Sequence, residues 1–148
     1  MGKLALLHKG KIVRHSNTVA AGVSTITPGT AIDMQNFESV LFIAEFGAIV
    51  AGGVTSIEAH QSAASGSGFT ALLGTLVSIT DAQDNKVLAL EVVKPRERYV
   101  KCVVNRATQN ATLEGITAIL TGPKKLPTTQ DATVAASEAH TSPAEGTA

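Results

Sequence analysis

Residues 86–122, KVLALEVVKPRERYVKCVVNRATQNATLEGITAILTG, contain three runs dominated by Val, Ile, Leu and Thr: Val87 to Val93, Tyr99 to Asn105 and Thr112 to Leu120. Branched side chains of this kind pack on a pleated surface, and each run is bounded by Pro, Asn or Gly, so the pattern predicts three strands. A charged turn and a polar turn join them, which predicts a meander. From Pro123 the chain changes to Thr, Ala, Ser, Glu, Pro and Gly with no aromatic residue, a composition that does not bury enough apolar surface to fold alone. A rigid β-domain followed by a loose tail suits attachment to a surface better than chemistry in a pocket.

Upstream, Ser39 to Phe46 is the clearest strand. Val40, Phe42, Ala44 and Phe46 share one face, Leu41, Ile43 and Glu45 the other, and because both faces are mostly apolar the strand is expected at the centre of a sheet. Thr18 to Ile26 alternates loosely and stops at the turn dipeptide Pro28-Gly29, Thr30 to Met34 gives a short second run, and Gly52-Gly53 precedes a further strand from Val54 to Gln61. Ser62 to Gly68 reads as a surface loop, Phe69 to Thr80 as a turn leading into a strand, and Asp84-Asn85 as the turn before the meander. The first segment, Lys3 to His15, reads either as one or two short strands around Lys9-Gly10-Lys11 or as an arm that orders on a partner. About seven to nine short strands at close intervals predict an all-β fold, a β-sandwich or jelly-roll-like single domain. The expected organisation is an N-terminal arm or edge strands over 1–15, a β-sandwich domain over 16–122 and an extended low-complexity tail over 123–148.

Composition points the same way. With 148 residues, aromatics at 3% and no Trp, the core must be built from small and branched aliphatic side chains that fill the narrow space between sheets. Twelve basic and twelve acidic residues cancel, so no net field draws the chain to nucleic acid or an anionic membrane. No run approaches the roughly 18 apolar residues of a membrane span, and Met1 to Val13 lacks the pattern of a cleaved export signal; the expectation is a soluble protein made in the cytoplasm. Cys102 is the single cysteine, which excludes an internal disulfide, and its place inside a strand predicts a buried apolar role.

Candidate chemistry is sparse. Glu58 and His60 stand two apart and emerge from one face, but no third group joins them, and a solvated sheet face is the preferred account. His8, His15 and His140 lie outside any ligand spacing. There is no phosphate loop, nucleophile elbow or carboxylate pair, so the chain is not expected to be an enzyme or to use a cofactor, metal or small-molecule substrate. The one dense basic cluster is Lys94, Arg96, Arg98 and Lys101, with Tyr99 among them. A single aromatic is too few for stacking along a nucleic acid strand, whereas Arg and Tyr suit protein contact; a solvated hairpin tip that protects an edge is the competing reading. Pro123, Lys124, Lys125 and Pro127 extend the candidate contact set into the tail, whose prolines favour an extended path.

The stretches TVAAGVSTITPGTAIDMQNFESVLFIAEFGAI, DNKVLALEVVKPRERYVKCVVNRAT and GITAILTGPKKLPTTQ, with the ending TSPAEGTA, resemble the head decoration, or cement, proteins of tailed bacteriophages. The likeness is of whole pattern and transfers no individual site residue. It implies a compact β-domain on the outer surface of a capsid, bound to the major capsid protein and to itself as a homodimer or homotrimer, stabilising the lattice. The alternative from the same reading is a phage tail, neck or head-fibre structural component, although fibre proteins usually show repeats that are missing here.

Overall fold

The strand expected at the centre is there. In a computed structural model, which describes residues 5–147, Val40, Phe42 and Ala44 have no exposed surface and Phe46 is 2% exposed, while Leu41 and Ile43 on the opposite face are half-buried and Glu45 is exposed. The elements in order are a one-turn helix α1 (Leu6–Lys9), β1 (Lys11–Ser16), β2 (Val19–Gly22), β3 (Ile32–Asp33), β4 (Ser39–Ile49), β5 (Val54–Ser62), β6 (Thr70–Ala71), β7 (Val77–Ile79), a 3-10 turn over Asp81–Gln83, β8 (Val87–Val93), β9 (Tyr99–Ala107) and β10 (Ala111–Thr121). They form two five-stranded antiparallel sheets. The first runs β1-β10-β4-β8, with β2 also pairing β10; the second runs β3-β9-β5-β6, with β7 also pairing β5.

The three runs that open the sequence reading are strands, but they are not a meander. β8 and β10 flank β4 in the first sheet, Val92 opposite Val40 on one side and Leu120 opposite it on the other, whereas β9 lies in the second sheet beside β5. The turn chemistry explains the crossing. Lys94 ends β8 with φ 50° and Pro95 follows, so the chain leaves the ladder instead of reversing along it, and β9 enters the opposite sheet. Splitting the three strands lets Val100, Cys102 and Val104 of β9 face Phe42, Ala118 and Leu120 across one interior; a flat meander would leave those apolar faces without a second layer. Apart from Phe42 and Phe46 the core is built from aliphatic and small side chains, so burying surface between two close sheets is the main stabilising term.

The N-terminal segment contributes α1 and β1, which closes one edge of the first sheet against β10; Lys3 and Leu4 lie outside the described residues. The tail then returns to that edge. Ile12 N–H donates to Gln130 Oε1 at 2.7 Å, Gln130 Nε2 donates to the carbonyls of Leu7 and Gly10 at 2.8 Å each, and Arg14 N–H donates to Thr133 Oγ1 at 2.8 Å. Thr128 adds a hydroxyl bond to Gly10 O at 2.8 Å and a backbone bond to His8 O at 2.9 Å, and Lys11 Nζ sits 3.5 Å from Asp131 Oδ2. The Gln130 and Thr133 side chains therefore stand in for a missing neighbouring strand. From Ala135 to Thr147 the chain is exposed and has no regular structure.

Candidate functional site

One end of the sandwich gathers four of the nine candidate contact residues. β10 ends at Thr121, and Gly122 turns the chain with φ 65°, at a point where a Cβ would lie 2.7 Å from Glu38 Cβ; only glycine passes there without displacing its neighbour. The turn delivers Lys124, whose N–H donates to Asn36 O at 2.9 Å. On the other side, Lys94 N–H donates to Glu38 O at 2.7 Å, and Arg96 N–H donates to Gln61 Oε1 at 3.2 Å. These bonds place Lys94, Arg96, Arg98 and Lys124 around a cleft of about 440 Å³, floored by Met34 and Phe37 and shared with Glu38 and Glu97.

The four cations differ. Arg98 is committed: Nε and Nη2 donate to Asp33 Oδ1 and Oδ2 at 2.9 and 2.8 Å, and its guanidinium carbon lies 5.1 Å from the Tyr99 ring centre. The same hydrogen bonding holds the Asp33 carboxyl below the usual carboxylate range. Lys94, Arg96 and Lys124 are exposed and make no ion pair among the described residues. They are available to carboxylates of a partner.

Lys101 lies elsewhere. It is 7% exposed on the outer face of the second sheet, its ammonium 4.4 Å above the Phe69 ring, so it packs rather than joins the cleft. Tyr99 is half-buried at the start of β9, Pro123 is half-buried beside the turn, and Lys125 and Pro127 are exposed beyond it, Pro127 following Leu126 through a cis peptide bond.

Glu58 and His60 meet at 2.8 Å, and hydrogen bonds from His60 and then Asn105 keep Glu58 ionised to lower pH than usual. Among the described residues no group of three His, Cys, Asp or Glu side chains is placed to hold a metal ion. Burial pushes the Cys102 thiol up to about 12, so it stays protonated and packs as an apolar residue.

Two side chains, His15 and Arg106, tie the sheets together. His15 of β1 reaches across the sandwich: its Nε2 accepts the N–H of Cys102 at 3.0 Å, and its ring packs 5.2 Å from Phe42. Burial, reinforced by the Lys101 charge, pushes its pKa down to about 4, so the imidazole is neutral at physiological pH. Arg106 of β9 is 5% exposed and donates to Ala20 O, Ser24 O and Ala111 O at 2.8, 2.9 and 2.7 Å, which ties β2 and the following loop to both sheets. Neither carries a spacing signal: the His15 partner at Cys102 and the Arg106 partners at Ala20 and Ser24 are distant in sequence, and only Ala111 lies nearby. A groove of about 600 Å³ runs between β1 and residues 26–33, bordered by His15, Asp33 and Asp131.

No protein-family model matches the chain, and no curated protein matches it by sequence. Solved structures do. The chain is similar to the VP2 subviral particle protein of infectious bursal disease virus, with a TM-score of 0.50 and 12% identity over 76% of this chain and 32% of the viral one. It thus spans about a third of that viral chain. Weaker likenesses are to a Bacillus endospore appendage subunit of a disulfide-linked pilus, with TM-score 0.43 and 12% identity over 84% of this chain and 98% of that one, and to the Gt strain of the same virus, with TM-score 0.38 and 14% identity over 80% and 34%. At such identity the likeness is one of fold: this chain shares an antiparallel β-sandwich with part of a viral particle protein.

Proposed function

We propose that the chain is a structural component of a virion, a decoration protein that sits on the outer surface of a phage capsid, contacts the major capsid protein and stabilises the lattice. The observation that carries this reading is the convergence of Lys94, Arg96 and Lys124 on one end of the sandwich, from the β8–β9 turn and from the start of the tail. Three exposed cations with no ion pair among the described residues, around an apolar floor, fit an acidic, partly apolar protein surface. The fold likeness to a viral particle protein and the resemblance of the sequence to phage decoration proteins support the same reading. Many equivalent sites on a symmetric shell make a modest contact per copy sufficient.

The test is co-sedimentation of the purified chain with capsids of the encoding phage assembled without it. The chain is expected to saturate the capsids and raise their heat resistance, and a Lys94→Glu, Arg96→Glu, Lys124→Glu variant to bind about tenfold more weakly with unchanged folding. Failure of the unaltered chain to bind would contradict the reading, and equal binding by the variant would move the contact off this cleft.

A further inference from the structure

The two sheets have four lateral edges, and three are blunted. One edge of the first sheet is β1, covered by Gln130 and Thr133, together with the four-residue β2, whose Ala20 carbonyl is taken by Arg106. In the second sheet one edge is the two-residue β3 with a single bridge from Ile26 to Val104, and the other is the short β6 and β7. The fourth edge, β8, is different. It is seven residues long, contains no proline and one charge, Glu91, and is straight in register against β4 from end to end.

Its hydrogen bonding is half used. Lys94 N–H donates to Glu38 O and Phe46 N–H donates to Lys86 O, which fixes the phase of the ladder. Even-numbered residues of β8 therefore turn their backbone groups to β4, and Val87, Ala89, Glu91 and Val93 turn theirs outward. All four are exposed, with Val87 at 56% and Val93 at 63%, and no described residue bonds to their outward groups. A long, flat, apolar edge of this kind is a template for another strand.

We infer that β8 is the pairing edge for a second copy of this chain, joined antiparallel about a two-fold axis at Leu90. The sequence of the edge is self-complementary, and in one register only. Centred on Leu90, Val87 lies opposite Val93 of the second copy and Ala89 opposite its Glu91, so every outward backbone pair is used and both exposed valines are covered. Centred on Glu91, the two carboxylates stand directly opposed, which is destabilising; centred on Ala89, both Val93 residues are left unpaired. The one like-charge pair in the favoured register, Lys86 with Lys94, lies beyond the strand ends, where the positive φ of Lys94 has already turned the chain away. The result is one continuous sheet across two sandwiches.

Sedimentation velocity over a concentration series, without capsids, tests this dimer independently of the capsid reading. The unaltered chain is expected to pass from monomer to dimer as concentration rises. Ala89→Glu puts a carboxylate opposite Glu91 twice per dimer and is expected to raise the dissociation constant about tenfold, while Ala89→Lys meets the same Glu91 favourably and is expected to keep or tighten the dimer. Position 89 is exposed and its N–H makes no bond among the described residues, so both variants should unfold at the same temperature as the parent. As a second readout, mixed Ala89→Cys and Glu91→Cys chains are expected to crosslink on oxidation, with buried Cys102 unable to compete. A monomer at every concentration, a dimer indifferent to the sign of the charge at position 89, or the absence of that crosslink would overturn the inference.

Discussion

At β1 the outward N–H groups of Ile12 and Arg14 meet the side chains of Gln130 and Thr133, while at β8, on the far side of the same sheet, the outward groups of Ala89 and Glu91 meet no described residue. β1 is also latched across the sandwich by His15, and among the described residues β8 has no such side-chain tie. The difference teaches that a polar tail with no capacity to fold alone can still complete a domain. Its amide and hydroxyl groups satisfy one strand edge and leave the other open.

Both edges hang on the same core, and damage to it gives the largest expected effect. Phe42 has no exposed surface and touches the His15 ring from the centre of the first sheet. Phe42→Ala should cost about 3 to 5 kcal/mol in urea unfolding, and a loss below about 1 kcal/mol would place the core elsewhere.

The latch on the β1 side should make stability depend on pH. Between the ordinary histidine pKa of 6.5 and the folded value of about 4, the unfolded chain holds a proton on His15 that the folded chain excludes. Stability is therefore complete above about pH 6.5 and falls as the pH drops through this window, by on the order of 3 kcal/mol. Unfolding measured at pH 7.5 and at 4.5 checks this, and a His15→Gln variant should be nearly flat over the same range.

Removing the tail's seal comes next. Gln130→Ala withdraws one acceptor and one donor group from the backbone at Leu7, Gly10 and Ile12, in a partly buried place that water can re-enter, so the expected cost is about 1 to 2 kcal/mol. A larger loss with a new tendency to associate would mean that the uncovered β1 edge pairs as β8 is inferred to do.

Much of this was legible in the sequence. The alternation in Ser39 to Phe46 marks β4, the runs at Val87, Tyr99 and Thr112 mark β8, β9 and β10, and the composition after Pro123 marks the tail. Thr18 to Ile26 proves shorter, with strand pairing from Val19 to Gly22 and a single bridge at Ile26, because Arg106 and not a ladder holds the rest. What alternation does not encode is which strand lies beside which: Lys94 and Pro95 redirect the chain between sheets and turn an expected meander into two layers. The candidate contact residues were partly readable as a charge cluster. The separation of Lys101 from it, the arrival of Lys124 and the roles of Gln130, His15 and Arg106 depend on long-range contacts that leave no local pattern.

The contrast between the two edges is tested most directly by amide hydrogen exchange at low protein concentration, read residue by residue. The N–H groups of Ile12 and Arg14 should exchange slowly and those of Ala89 and Glu91 quickly, and Gln130→Ala combined with Thr133→Ala should bring Ile12 and Arg14 to the fast rate without altering β4. Equal, fast exchange at all four amides in the unaltered chain would contradict the account, because the tail would then not be sealing the edge it lies against.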